Sequence, residues 1–141
     1  MIKRTLFSLI SCISLLIGAG CIGQLTSLED TMWTLDSYRN ASGVMTDVIP
    51  DSEITARFSE NEVEGNGGCN HYFGEYDLHE NTIAVNTLAM TEMYCMTPGI
   101  MEQESVYFSL LQSVAYYEIE GTMLTLKNAD GVAVLVFTET S

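Results

Sequence analysis

Cysteines, histidines, clustered acids and methionines are the residues of this 141-residue chain whose types and spacing could do chemistry. Four cysteines are present: Cys12, Cys21, Cys69 and Cys95. Cys12 lies inside an apolar N-terminal run and Cys21 ends it, which leaves Cys69 and Cys95 as an even pair. In an oxidising compartment such a pair reads as a disulfide. Closing a loop over their 26-residue separation removes about 3.5 kcal/mol of unfolded-state entropy in the chain-entropy model. A metal site using one or both thiolates is the competing reading, but no CxxC spacing or histidine cluster accompanies it. His71 and His79 are the two histidines. On one regular strand their even spacing puts both on one face about 27 Å apart, too far for one metal or one dyad. No nucleophile-elbow motif lies near them, so no Ser-His-Asp arrangement is predicted. Glu92, Glu102 and Glu104 could make a carboxylate pocket. Two apart on a helix, however, Glu102 and Glu104 face different ways, and Glu104 reads better as an inward acceptor for buried backbone or a tyrosine.

Met90, Met93 and Met96, with Met101 beyond them, surround Cys95. Thioethers can bind Cu(I) outside the cytoplasm, yet methionine is also a common core filler. Tyr72, Tyr76, Tyr107, Tyr116 and Tyr117 could line a barrel mouth for an apolar ligand or could form the core and its rim. The densest stretch is Gly65-Asn66-Gly67-Gly68-Cys69-Asn70-His71-Tyr72-Phe73-Gly74-Glu75-Tyr76. Asn66-Gly67-Gly68 signals a tight turn. After it, Tyr72, Gly74 and Tyr76 alternate with His71, Phe73 and Glu75 as in a strand. Gly74 there signals a bulge or a close backbone approach. No following helix or lysine completes a phosphate cradle.

The elements that must position these groups are mostly strands. Strands are predicted at 32–39, 53–59, 62–65, 71–78 and 82–88, with a long loop at 40–52 and a turn at 79–81. Thr97-Pro98 reads as an N-cap and first helical residue, with Glu102 and Glu104 early. Met101, Phe108, Leu111 and Ala115, flanked by Leu110 and Val114, set a helical period over roughly four turns. Strands at 116–120, 122–127 and 132–139 follow, the last apolar on both faces and therefore central. About eight antiparallel strands with one helix predict a mainly β fold: a small antiparallel barrel of lipocalin-like topology, with an open α+β roll as the alternative.

Lys3 and Arg4 precede an uncharged apolar run from Thr5 to Ala19 that ends in Leu16-Ile17-Gly18-Ala19-Gly20-Cys21. This predicts a lipoprotein signal peptide at 1–20 and lipid attachment at Cys21, with the alternative of an uncleaved N-terminal anchor. Residues 21–30 read as a tether and 31–139 as one domain, large enough for its own core. Removal of the signal leaves Arg39, Arg57 and Lys127 against 19 acids, a net charge of −16. Three scattered cations make no basic patch, so nucleic-acid binding is excluded.

Trp33-Thr34-Leu35, Phe58 and the stretch Val63 to Tyr76 with its Gly-Cys-Asn core resemble the META domain, also called the HslJ-like family. Thr91-Glu92-Met93-Tyr94-Cys95, Met101-Glu102-Gln103-Glu104 with Phe108 and Leu111, and Gly121 to Leu126 resemble the family's later motifs, so the match spans about 31–138. The resemblance implies a compact barrel-like domain in an envelope-linked, stress-associated protein, often a lipoprotein, from a family not known for enzymes. Cys69 and Cys95 match family positions, which implies the disulfide again. The resulting expectation is a membrane-anchored extracytoplasmic monomer with no catalytic residue, metal or cofactor, acting on a protein or peptide partner. The alternatives are a barrel for a small apolar ligand or drug and a Cu(I) binder using the methionines.

Overall fold

A computed structural model describes residues 25–141, so Cys12, Cys21 and the predicted signal lie outside the described residues. Ten strands and one helix follow in the order β1 (Met32–Arg39), β2 (Met45–Asp47), β3 (Thr55–Ser59), β4 (Glu62–Asn66), β5 (His71–His79), β6 (Thr82–Val85), β7 (Ala89–Met90), α1 (Ile100–Leu111), β8 (Val114–Glu120), β9 (Met123–Asn128) and β10 (Ala133–Glu139). All strand pairings are antiparallel, and β10 pairs with β1, which closes the sheet into a barrel rather than an open roll. Eight strands make the ring, while β2 extends β1 and β7 extends the flank of β5. The short strand β2 falls in the stretch read as a loop at 40–52, and β7 lies just past the strand predicted at 82–88.

Alternation decides which side chains fill the barrel. Ala56 and Phe58 on β3, Tyr72 and Tyr76 on β5, Ile83 and Val85 on β6, and Leu124 and Leu126 on β9 all point inward and are buried. On β1 the alternation breaks. Trp33 and Leu35 are buried as expected, but a register shift between Leu35 and Ser37 turns Tyr38 inward in place of Ser37. On β10, Val134 and Leu135 are both buried beside a second shift, and β10 contacts α1, in line with the central position predicted for this strand. A Cβ on Gly74 would lie 2.8 Å from Leu88 Cδ2 and 3.0 Å from the Thr87 carbonyl oxygen. The glycine thus admits the close passage of Thr87 and Leu88, which follow β6 after its end at Val85, short of the predicted Leu88.

The helix differs from expectation at both ends. Its N-cap is Gly99 in the left-handed region (φ 83°), and Thr97 and Pro98 precede it in a turn. Twelve residues give about three turns rather than four. Val114 and Ala115 belong to β8, which has a register shift between Val114 and Tyr116. The buried helical stripe is Ile100, Gln103, Glu104, Tyr107, Phe108 and Leu111, and it covers the barrel end where β4 meets β5. At the other end the predicted tether packs against the barrel. Leu28 is buried, its carbonyl accepts the Trp33 indole N–H at 3.0 Å, and the Asp30 N–H donates to the Phe58 carbonyl.

Tyr72 and Tyr107 share a buried hydroxyl–hydroxyl bond of 2.6 Å, and Tyr72 also donates to the Thr55 carbonyl at 2.8 Å. Burial raises the Tyr107 phenol well above its ordinary value, against the opposing effect of the Tyr72 bond. Burial and then the neighbouring Tyr107 raise Tyr72. In the unfolded chain both ionise near pH 10. Their contribution is therefore complete below about pH 10 and declines as pH rises from there toward the raised folded values. The urea midpoint followed by circular dichroism should fall between about pH 10 and pH 11.5, and less steeply in Tyr107→Phe. Equal slopes in the two proteins would count against this origin.

Candidate functional site

The dense glycine stretch becomes the β4–β5 connection at the helix-capped end of the barrel. Gly67 passes against the helix so closely that a Cβ would lie 2.5 Å from Phe108 Cζ and 2.9 Å from Glu104 Oε2. That approach lets Glu104, 4% exposed, reach the turn. Its Oε2 accepts the backbone N–H of Cys69 (2.9 Å) and of Asn70 (2.6 Å), and its Oε1 accepts the Asn70 side-chain amide (2.7 Å). Three N–H donors to one carboxylate are charge-assisted and replace the water lost on burial. The inward structural role expected of Glu104 is therefore present. Glu92 and Glu102 are exposed, and no carboxylate pocket forms with them.

Asn70, 3% exposed, passes the constraint to the segment that follows β7. Its Oδ1 accepts the Met93 backbone N–H (2.7 Å) and the Thr91 hydroxyl (2.8 Å), and its Nδ2 donates to the Met93 carbonyl (3.2 Å). The side-chain amide thereby does for Met93 what a neighbouring strand would do. The Cys69–Cys95 disulfide fixes the same segment two residues on, with Cα atoms 5.9 Å apart. The Cys95 N–H points to Met101 Sδ at 3.5 Å. One thioether of the proposed copper set is thus turned to the backbone and both thiols are joined. Met93 and Met96 point to solvent.

His71 and His79 both lie on the outer face of β5, the first with Nδ1 3.0 Å from the Gly65 carbonyl oxygen. Tyr72, Tyr76 and Tyr107 are core residues, while Tyr116 and Tyr117 lie at the rim. Among the described residues no group of three or more His, Cys, Asp or Glu could hold a metal ion. Two buried polar residues were not singled out by sequence reasoning: Asn70, and Gln103, which accepts the Ile49 N–H (2.8 Å) and donates to Ser52 Oγ (3.0 Å). Their signal is a polar pair, Gln103-Glu104, inside the apolar helical stripe.

A family model, the META domain, matches residues 26–141. The chain belongs to the META domain family. It is 29% identical over 120 residues to Heat shock protein HslJ of Escherichia coli (strain K12), covering 81% of this chain and 83% of that one. A protein from Burkholderia xenovorans solved by NMR has the same fold, with a TM-score of 0.67 and 28% identity, covering 81% of this chain and 84% of that one. A DUF4847 family protein from Bacteroides vulgatus ATCC 8482 shares the fold at a TM-score of 0.54 and 13% identity, over 79% and 93% of the two chains. In this META domain the Gly-Cys-Asn motif is thus a structural joint between turn, helix and outer segment.

Replacing Glu104 with Gln keeps the volume but turns an amide N–H₂ toward N–H donors. Glu104→Gln should cost about 2–4 kcal/mol of unfolding free energy, read from urea titration. Reducing the disulfide should cost about 3 kcal/mol and leave the far-ultraviolet spectrum of the barrel unchanged. A Glu104→Gln protein as stable as the parent would remove Glu104 from this role.

Proposed function

We propose that this META-domain chain is a membrane-anchored extracytoplasmic lipoprotein that acts without catalysis, by binding a protein or peptide partner in an envelope or stress role. The observation that carries the reading is the filled interior. Trp33, Phe58, Tyr72, Tyr76, Tyr107 and Phe137 occupy the barrel axis at 2% exposure or less. Small barrels filled in this way work through their outer surface rather than by enclosing a ligand. Aromatic packing supports the same point: Phe58 meets Tyr76 and Tyr72 meets Tyr107 edge-on, with ring centres 5.2 and 5.7 Å apart. The apolar-ligand alternative therefore has no support from the core.

The compartment is supported by the Cys69–Cys95 disulfide, since such bonds persist outside the reducing cytoplasm. The anchor rests on the run that ends in Gly18-Ala19-Gly20-Cys21. Among the described residues no helix is long and apolar enough to cross a membrane, so a lipid on Cys21 supplies the attachment in this reading. The stress role is supported by similarity to a relative named a heat shock protein.

The test is fractionation and mass spectrometry of the protein expressed from the full chain. The parent should sediment with membranes and carry a diacylglyceryl group on an N-terminal Cys21. Cys21→Ser should lose the group and leave the lipid-modified fraction. An unmodified Cys21 in the mature protein would overturn the anchor.

A further inference from the structure

We propose that the outer edge of β7 and its continuation, Ala89 to Met93, is a strand-addition site for an extended segment of another protein in which apolar residues alternate with Lys or Arg. The inference deepens the partner-binding reading and rests on it.

The edge is free on one side. Strand β7 pairs only with β5, through Tyr72–Met90 and Phe73–Ala89, and the Thr91 N–H continues that ladder to the His71 carbonyl at 3.0 Å. Hydrogen-bonding direction alternates along an antiparallel strand. Because Thr91 faces β5, the backbone N–H and C=O of Met90 and Glu92 face away from it. The six residues from Ala89 to Tyr94 are all exposed. Unlike most exposed loops, this one is held. Asn70 binds Thr91 and both backbone groups of Met93, and the disulfide holds Cys95. An edge already ordered loses little conformational entropy when a second strand joins it.

The side chains around the edge are unusually apolar for an exposed segment. Met93, Tyr94 and Met96 are 59%, 81% and 88% exposed, and Phe73 lies beside Ala89 on the outer face. Exposed methionine and aromatic groups of this kind mark binding surfaces. Charge selects the occupant. Between Arg57 and Lys127 the chain has no Lys or Arg, and Glu92 lies within the edge itself. The one cation in the groove shared with His71 and Phe73 is Arg57, and Glu62 and Glu64 outnumber it there, so an anionic lipid surface would meet net negative charge. A second copy would bring to the same contact another 19 acids against three cations over residues 25–141. The first described residues, Leu25 and Thr26, lie at the barrel end where Thr26 bonds Glu139, away from α1. A basic, apolar, extended segment from a different protein satisfies both the backbone and the charge.

The probe is a fluorescent peptide of about ten residues alternating valine and lysine, with a valine–glutamate peptide as its control. Binding is read by anisotropy on the protein expressed from the full chain, in nanodiscs of neutral lipid when it carries the lipid and in solution when it does not. Met90→Pro removes one outward N–H without touching the β5 ladder, as edge prolines do. Glu92→Lys changes charge alone. The lysine peptide should bind the parent, and the glutamate peptide should not. Met90→Pro should weaken binding at least about tenfold, and Glu92→Lys by about threefold or more, with added salt acting in the same direction. Thermal unfolding midpoints verify folding, and Glu92→Lys stands alone if the proline variant unfolds. Equal binding by parent and variants would overturn the proposal, as would no binding of the lysine peptide. Edge-dependent self-association in sedimentation, or edge-dependent binding to anionic vesicles, would replace it with a second copy or a lipid surface. Loss of the Cys21 lipid would leave all these readings unchanged, so failure of the anchor is separable from failure of the edge.

Discussion

A single buried carboxylate organises the helix-covered end of this barrel. Glu104 stands on a helix, yet its three donors come from the turn between β4 and β5. A charged group 4% exposed is tolerable only where hydrogen bonds replace its hydration. That requirement makes the helix, the turn and Asn70 interdependent. The carboxylate sets how deeply α1 sits, Gly67 must lack a side chain to allow it, and Asn70 is oriented so that its amide can hold Met93. The disulfide then repeats covalently a connection that the polar network already makes.

Closure of the barrel is the second constraint. Pairing of β1 with β10 joins the chain's first and last strands, so neither is left as an open edge there. Three register shifts, on β1, on β8 and on β10, bend the strands enough to close a small ring. Each alters which residues face inward, and together they let Tyr38, Val134 and Leu135 join the core. A helix covers one end and Leu28 the other. The interior is therefore committed to packing, and the variety of the molecule lies outside, where the acidic surface meets one exposed, apolar, well-held segment after β7.

Legibility in the sequence divides along the range of the interactions concerned. Period-two alternation was enough to place β1, β3, β5 and β9 and to separate the two faces of β5, because a regular strand's faces follow from its own neighbours in the chain; on β1 it held for Trp33 and Leu35 and failed at Tyr38, past the register shift. The family was legible through the resemblance of its motifs, and about eight antiparallel strands through their spacing, with closure left open between a barrel and a roll. Errors fell where a local signal had two meanings. Val114 and Ala115 continue an apparent helical period, but the helix ends at Leu111 and both residues begin β8 after a short turn. Thr97-Pro98 has the composition of a helix start, yet Gly99 can enter the left-handed region and begins the helix two residues later.

The sequence by itself determined the faces of the regular strands, the acidic surface, the META family motifs and the even cysteine pair. Tertiary structure decided the closure through β1 and β10, the filling of the interior and the joining of Asn70 to Glu104 and Met93. The physical reason is distance along the chain. Glu104 and the Asn70 backbone N–H it accepts lie 34 residues apart, so no local pattern records their contact. Only the folded barrel brings the carboxylate out of water and next to the donors that make its burial possible.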